Sequence, residues 1–197
     1  MAELMVDYIT SLDGFGGADG WPGLWGLGGP EYAEFLAAEQ SQDYRLLLGA
    51  ATYRLFAEMA AAGAEGLGGL TDRPKIVFSR TLSEPLTWAN TTLVRGDAVT
   101  AVRALKETGG TPLRTIGSPS LCRSLLRAGL VDRFRVVVFP VITGATGHAR
   151  IYDQLPDVAL DVVDIRVFDG SLYLLEAIPR VLAEPPGAVT DEQPGPE

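Results

Sequence analysis

The sequence predicts an α/β fold: a mostly parallel central sheet with helices on both faces and an antiparallel hairpin at its C-terminal edge. Three observations carry this. Short apolar segments alternate with helical ones as far as residue 129, the pattern of parallel strands joined by crossover helices. From Phe134 onward, strand-like segments follow one another with no helix between them, which calls for antiparallel pairing. Asp169-Gly170 stands between two of these segments, and Asp-Gly favours the tight turn of a hairpin.

Leu4 to Thr10 is short, apolar and strand-like. Residues 12–29 follow with eight glycines, Trp21 and Trp25, and are expected to form a mobile loop able to close as a lid. Pro30 suits the first position of a helix reaching about Gln42, with Glu31 and Glu34 beside the positive end of its dipole. Tyr44 to Gly49 reads as a buried strand, Ala50 to Ala62 as an Ala-rich helix, and Gly63 to Gly69 as a second flexible loop. Lys75 to Ser79 and Thr91 to Arg95 are strands. Asp97 can cap a helix that ends near Thr108, before Gly109 and Gly110. Leu113 to Gly117 is a strand, and Ser118 can cap a helix that begins at Pro119 and stops at Gly129. Phe134 to Ile142 is β-branched and apolar enough to be buried on both faces. Leu160 to Phe168 and Ser171 to Ile178 flank the hairpin turn. One domain over residues 1–182 results, with a disordered Pro-, Gly- and acid-rich tail over 183–197.

Composition narrows the function. At 197 residues and 47% hydrophobic, the chain can bury a full core. A net charge of −9 argues against a nucleic-acid partner, which needs a basic face to displace counterions. One cysteine (Cys122) and one histidine (His148) exclude multi-cysteine and His-rich metal sites. The N-terminus has no signal-peptide pattern, and no apolar run is long enough for a membrane helix, so a cytoplasmic location is expected. The charge is uneven. Residues 1–44 carry eight acids and no Lys or Arg, whereas residues 45–182 carry a net +3.

Three strand-to-helix turns can meet an anion, because helix N-termini present free N–H groups and a partial positive charge. Gly49-Ala50-Ala51-Thr52 puts a hydroxyl in the first turn of a helix. Ser79-Arg80 pairs a hydroxyl with a guanidinium that can grip a phosphate bidentately. Gly117-Ser118-Pro119-Ser120 lets a pyrophosphate approach the backbone. An ordinary N-terminal threonine, a solvated surface arginine and a simple N-cap are the competing readings. The G-x-G-x-x-G fingerprint is absent.

The order of the motifs is more specific than any one of them. Ser11-Leu12-Asp13-Gly14, Leu48-Gly49-x-x-Thr52-Tyr53, Lys75 to Leu82 (KIVFSRTL), Ile116 to Leu121 (IGSPSL), Gly129-Leu130-Val131-Asp132 and Phe139-Pro140-Val141-Ile142-x-Gly144 follow in turn. Over roughly residues 2–182 the chain resembles the C-terminal reductase domain of the bifunctional riboflavin-biosynthesis deaminase-reductase, a family with the three-layer dihydrofolate reductase fold. The resemblance implies an NADPH-dependent reductase, a homodimer and a small heterocyclic substrate. It implies that Gly49 and Thr52 lie against the cofactor phosphates, Ser79 and Arg80 at a 2′-phosphate, Gly117, Ser118, Ser120 and Leu121 at the pyrophosphate, and Asp13 and Gly14 near the nicotinamide and substrate. Relatives often carry a basic residue directly after the Gly49 position, and many have Gly-Gly at Gly117-Ser118. Here Ala50 and Ser118 stand there, which allows weaker cofactor binding.

The substrate side departs further. The family's substrate carries a phosphate, yet no Lys or Arg precedes Arg45; Arg150 is one base that could serve from elsewhere. Asp13, Asp19, Glu31, Trp21 and Trp25 suit a flat, amine-bearing ring such as a pterin or aminopyrimidine. Glu31 falls near the acid that binds pterin in dihydrofolate reductases, and equally suits a surface helix-dipole carboxylate. Asp13 or Glu31 would polarise or protonate the substrate. A non-catalytic binding module that kept the fold is the alternative.

Overall fold

The computed structural model describes residues 1–184 apart from Pro22 and Glu65. Its centre is Leu4–Ser11 (β1), in which alternate side chains serve opposite helix layers. Leu4, Val6 and Tyr8 join a core with Val102 of Ala98–Thr108 (α4) and with Leu121, Cys122, Leu125 and Leu126 of Pro119–Arg127 (α5). Leu125 is fully buried there, and its truncation to alanine would cost about 2–5 kcal/mol.

The opposite face holds two further clusters. Tyr32 of Pro30–Ser41 (α1) packs with Trp25 and with Phe139 of Arg133–Phe139 (β7). Tyr53 of Ala50–Ala61 (α2) and Leu70 of Gly68–Asp72 (α3) cover Leu46 and Leu48 of Arg45–Gly49 (β3) and Val77 of Lys75–Phe78 (β4). Between these clusters lies a buried ionic network. Arg135 of β7 holds Asp7 of β1 through two bonds at 2.6 and 3.1 Å and Glu39 of α1 at 2.7 Å. Arg114 also reaches Glu39, at 2.6 Å, and shares the faces of Tyr44 with Arg73. Burial pushes the Glu39 carboxyl up, but the two guanidiniums outweigh it and hold it below its usual range.

The eight-stranded sheet has the order β5-β4-β3-β6-β1-β7-β10-β9, with Thr91–Val94 (β5), Leu113–Thr115 (β6), Val158–Phe168 (β9) and Leu172–Val181 (β10). All pairs from β5 to β7 are parallel, and β10 and β9 are antiparallel. The predicted three-layer architecture with its hairpin edge is therefore present. Asp169 and Gly170 both take positive φ, 53° and 68°, as the expected two-residue turn requires.

Two expectations are corrected. Residues 12–29 do not form a continuous loop: Phe15–Ala18 (β2) pairs antiparallel with Gly147–Arg150 (β8) in a small second sheet, and Gly23–Gly26 is a 3₁₀ turn. Gly17 serves close approach, since a Cβ there would lie 2.6 Å from the His148 ring. The second predicted loop likewise contains the start of α3. The expected tail from Ala183 lies outside the described residues from 185 onward. Among the described residues, no helix is long and apolar enough to cross a membrane.

Candidate active site

β3 and β6 are neighbours, but the chain leaves them for opposite faces of the sheet, into α2 and α5 respectively. Such divergence opens a crevice beyond the carboxyl ends of the strands. The order β4, β3, β6, β1 brings Ser79-Arg80, Gly49-Thr52, Gly117-Ser118 and Ser11-Asp13 along one edge. At about 4.8 Å per interstrand step, that row spans roughly 15 Å.

The two central turns are laced together. The Gly49 N–H donates to Ser118 Oγ at 2.9 Å, and the Ser118 N–H donates to Thr52 Oγ1 at 3.1 Å. Both Gly117 and Ser118 adopt left-handed backbone, φ 54° and 58°, and at Gly117 the missing Cβ removes the penalty for this conformation. By its sequence, Ser118 can cap α5 with its side chain. Its left-handed backbone instead turns the hydroxyl to β3, and no side chain caps α5. α2 is also uncapped at Gly49, whereas Asp97 caps α4 by accepting the Thr100 N–H at 2.8 Å. The helices flanking the crevice thus keep first-turn N–H groups for an anion.

The outer position is built by Ser79, whose hydroxyl accepts the N–H groups of Thr81 and Leu82 at 3.1 Å each. Arg80 beside it is exposed. The Asp97 carboxyl is lowered chiefly by the Thr100 N–H and hydroxyl, with a smaller contribution from the Arg80 charge. Ser120 is exposed on the first turn of α5. The Leu121 side chain is committed to the core, so only its backbone can face a phosphate.

Across the crevice, Asp13 staples the β1 end to the β7 end. Its carboxylate accepts Ser11 Oγ at 2.6 Å, the Thr143 N–H at 3.2 Å and the Gly144 N–H at 2.9 Å. The Ser11 hydroxyl bond, followed by these backbone donors, lowers its pKa to about 2. Asp13 is therefore an anion at neutral pH and not a proton donor. The Gly14 carbonyl accepts the Ile151 N–H at 2.9 Å, joining this turn to β8. On β8, Arg150 lies over the Phe15 ring at 5.6 Å and 3.8 Å from Asp153.

The other acidic candidate is not brought to this edge by any contact. Glu31 accepts the Asp169 N–H in a very short bond, while Asp169 accepts the N–H groups of Glu31 (3.0 Å) and Tyr32 (3.2 Å). Asp169 thus supplies the cap that Gly29 lacks, and a Cβ on Gly29 would lie 2.3 Å from it. Of the two tryptophans, Trp21 is 44% exposed and Trp25 is 5% exposed, its ring tilted against Phe139 with centroids 5.2 Å apart. The role of Asp169 escapes sequence reasoning because its partner is 138 residues away. The Arg135 network leaves a fainter trace, arginines alternating within an otherwise apolar strand, RFRVVVF.

Comparison with known proteins agrees with this architecture. A family model described as the RibD C-terminal domain matches residues 2–174. The uncharacterized protein YyaP of Bacillus subtilis (strain 168) is 30% identical over 100 residues, covering 51% of this chain and 52% of that protein. The chain therefore aligns with about half the length of that curated relative. A structure described as a riboflavin biosynthesis protein from Shewanella sp. PV-4 superposes with a TM-score of 0.67 at 20% identity, covering 91% of this chain and 99% of that one. A pyrimidine reductase-like protein from Corynebacterium diphtheriae gives 0.59 at 15% identity, covering 91% and 92%. The Thermotoga maritima diaminohydroxyphosphoribosylaminopyrimidine deaminase/5-amino-6-(5-phosphoribosylamino)uracil reductase gives 0.64 at 16% identity, covering 91% of this chain and 58% of that longer one.

Proposed function

Because the chain belongs to the RibD C-terminal domain family, we propose that it is an NADPH-dependent reductase acting on a nitrogen heterocycle of the aminopyrimidine or pterin class. One observation carries the reading: two helices that lack side-chain caps begin at the same crevice, from turns laced by Ser118, Thr52 and Gly49.

The residues present fit a phosphorylated dinucleotide. The first-turn N–H groups of α2 and α5 would hold the pyrophosphate, with Gly117 leaving room for its approach and Ser120 adding a hydroxyl. Arg80 would take the 2′-phosphate, beside the turn that Ser79 organises. NADPH, when bound, supplies a hydride, and the protein supplies orientation and exclusion of water. Asp13 holds the β1 and β7 ends at a fixed separation and keeps a negative charge at the substrate side, which suits an amine-bearing ring better than a phosphate.

A second reading, a binding module without turnover, is favoured by one specific observation. Both acids that the sequence offers for the chemistry are engaged in structural hydrogen bonds, Asp13 with Ser11, Thr143 and Gly144, and Glu31 with Asp169. Intrinsic tryptophan fluorescence during NADPH titration tests the cofactor, with saturable binding expected at sub-millimolar concentration. Absence of NADPH binding overturns the reductase and leaves only a module that binds the heterocycle. NADPH oxidation with a member of a panel of pterins, aminopyrimidines and flavin precursors supports the reductase, and binding without oxidation across the panel supports the module.

A further inference from the structure

The loop that joins β4 to β5, residues 79–90, is fastened to α2 at both ends. At its far end the Tyr53 hydroxyl accepts the N–H groups of Thr87 (2.9 Å) and Trp88 (3.3 Å), and the rings of Phe56 and Trp88 stack with centroids 5.7 Å apart. Tyr53 and Trp88 are both buried, so this end of the loop is held firmly against the helix. At its near end Arg54 Nη2 donates to Thr81 Oγ1 at 3.4 Å. The Thr81 hydroxyl also lies 3.4 Å from Ser79 Oγ, which organises the turn that carries Arg80.

Two guanidiniums are thereby set about one turn. Arg54 approaches it from α2, which packs on one face of the sheet. Arg80 acts on Asp97, the cap of α4, which packs on the other face. Both arginines are exposed. Among the described residues neither forms an ion pair, whereas Arg114, Arg133, Arg135, Arg150 and Arg166 each do. Arg54 is the one base of α2, and it lies four residues beyond Ala50 on the same helix face. Its bond to Thr81 is longer than the about 2.7–3.2 Å of an ordinary N–H···O bond. Little is lost, therefore, when that guanidinium turns to an oxyanion, where its bonds are shorter and stronger.

We propose that Arg54 grips the 2′-phosphate jointly with Arg80, so that α2 as well as the β4–β5 loop sets the preference for NADPH over NADH. The inference rests on the cofactor reading above. A phosphate monoester carries a charge of about −1.5 to −2 at neutral pH, more than Arg80 alone neutralises, and two guanidiniums match it. The fastening of the loop to α2 fixes the spacing of the pair before the ligand arrives, which lowers the ordering cost of binding. An arginine that only fastened the loop would act differently. Its loss would loosen the site for both nucleotides alike.

The test is isothermal titration of the full chain with NADPH, NADH, adenosine 2′,5′-bisphosphate and adenosine 5′-diphosphate. The parent should bind NADPH more tightly than NADH. Arg54→Ala should weaken NADPH and the 2′,5′-bisphosphate by about tenfold and leave NADH and the diphosphate within about twofold. With Arg80→Ala added, the preference for NADPH should disappear. Should Arg54→Ala fail to fold, Arg54→Gln removes the charge with a side chain of intermediate length and gives the same comparison. Equal losses for NADPH and NADH, or no loss for either, overturn the role of Arg54 and leave the cofactor reading standing. A parent that binds both nucleotides equally well overturns the inference too, because no 2′-phosphate is then recognised. A parent that binds neither overturns the cofactor reading itself, and the inference with it.

Discussion

The hydroxyl of Ser118 accepts the backbone N–H of Gly49 at 2.9 Å, across a gap of 69 residues. This bond ties the end of one parallel strand to the turn that follows its neighbour, at the point where their helices part. Ser118→Ala removes the acceptor from a partly buried N–H, which costs about 1–3 kcal/mol. Melting temperature and NADPH affinity should fall together. Unchanged NADPH affinity in a destabilised variant would separate the turn from the cofactor site.

Arg80 is exposed and sits one residue beyond the Ser79 turn. A guanidinium gripping the 2′-phosphate discriminates between the two nicotinamide cofactors. Arg80→Ala should weaken NADPH by about tenfold or more, a loss of about 1.4 kcal/mol, and leave NADH nearly unaffected. Isothermal titration with both cofactors reads the difference, and equal losses would remove Arg80 from that role.

Asp169 caps α1 in place of a local residue, and Glu31 returns the bond. Asp169→Ala should destabilise the fold by about 1 kcal/mol, as loss of an N-cap does. Glu31→Gln should lower stability in denaturant while leaving any turnover close to that of the parent. A large fall in kcat with unchanged stability would return Glu31 to the chemistry.

The Asp13 carboxyl titrates near pH 2 in the folded protein, against 3.8 for an unperturbed aspartate. A lowered folded pKa means that its contribution to stability is complete above about pH 4 and is lost as pH falls toward 2. Carboxyl NMR titration should find the depressed value. In Asp13→Asn, the pH dependence of stability between 4 and 2 should flatten, and an Asp13 titrating near 3.8 would contradict the staple to Thr143 and Gly144.

Much of this molecule was legible along the chain because the relevant physics is local. Leu4 to Thr10, Ala50 to Ala62, Asp97 as a cap and Asp169-Gly170 as a turn each follow from side-chain periodicity, capping chemistry or a two-residue backbone preference. The glycines of residues 12–29 were misleading for the same reason. Glycine is equally compatible with mobility and with close packing, and the approach of Tyr152 to Gly14, of His148 to Gly17 and of Asp169 to Gly29 shows that packing is the role of these three, whereas Gly20 and Gly23 have open space around them. Ser118 misled in a subtler way, since a serine before a proline suits an N-cap, and its left-handed backbone sends the hydroxyl to another strand.

The sequence by itself determined the class of fold and the order of most of its elements, though not β2, β8 or α3, and it singled out three strand-to-helix turns as candidates to meet a phosphate, because strand and helix periods and cap residues act over a few neighbours. Tertiary structure alone decided which of those turns stand together, that Asp13 and Glu31 are engaged as hydrogen-bond acceptors, and that Val162, Ile165 and Val167 of β9 are exposed among the described residues. Each depends on strand order and on partners up to 138 residues apart. Pairing across such distances is set by how whole layers pack, which no short stretch of sequence encodes.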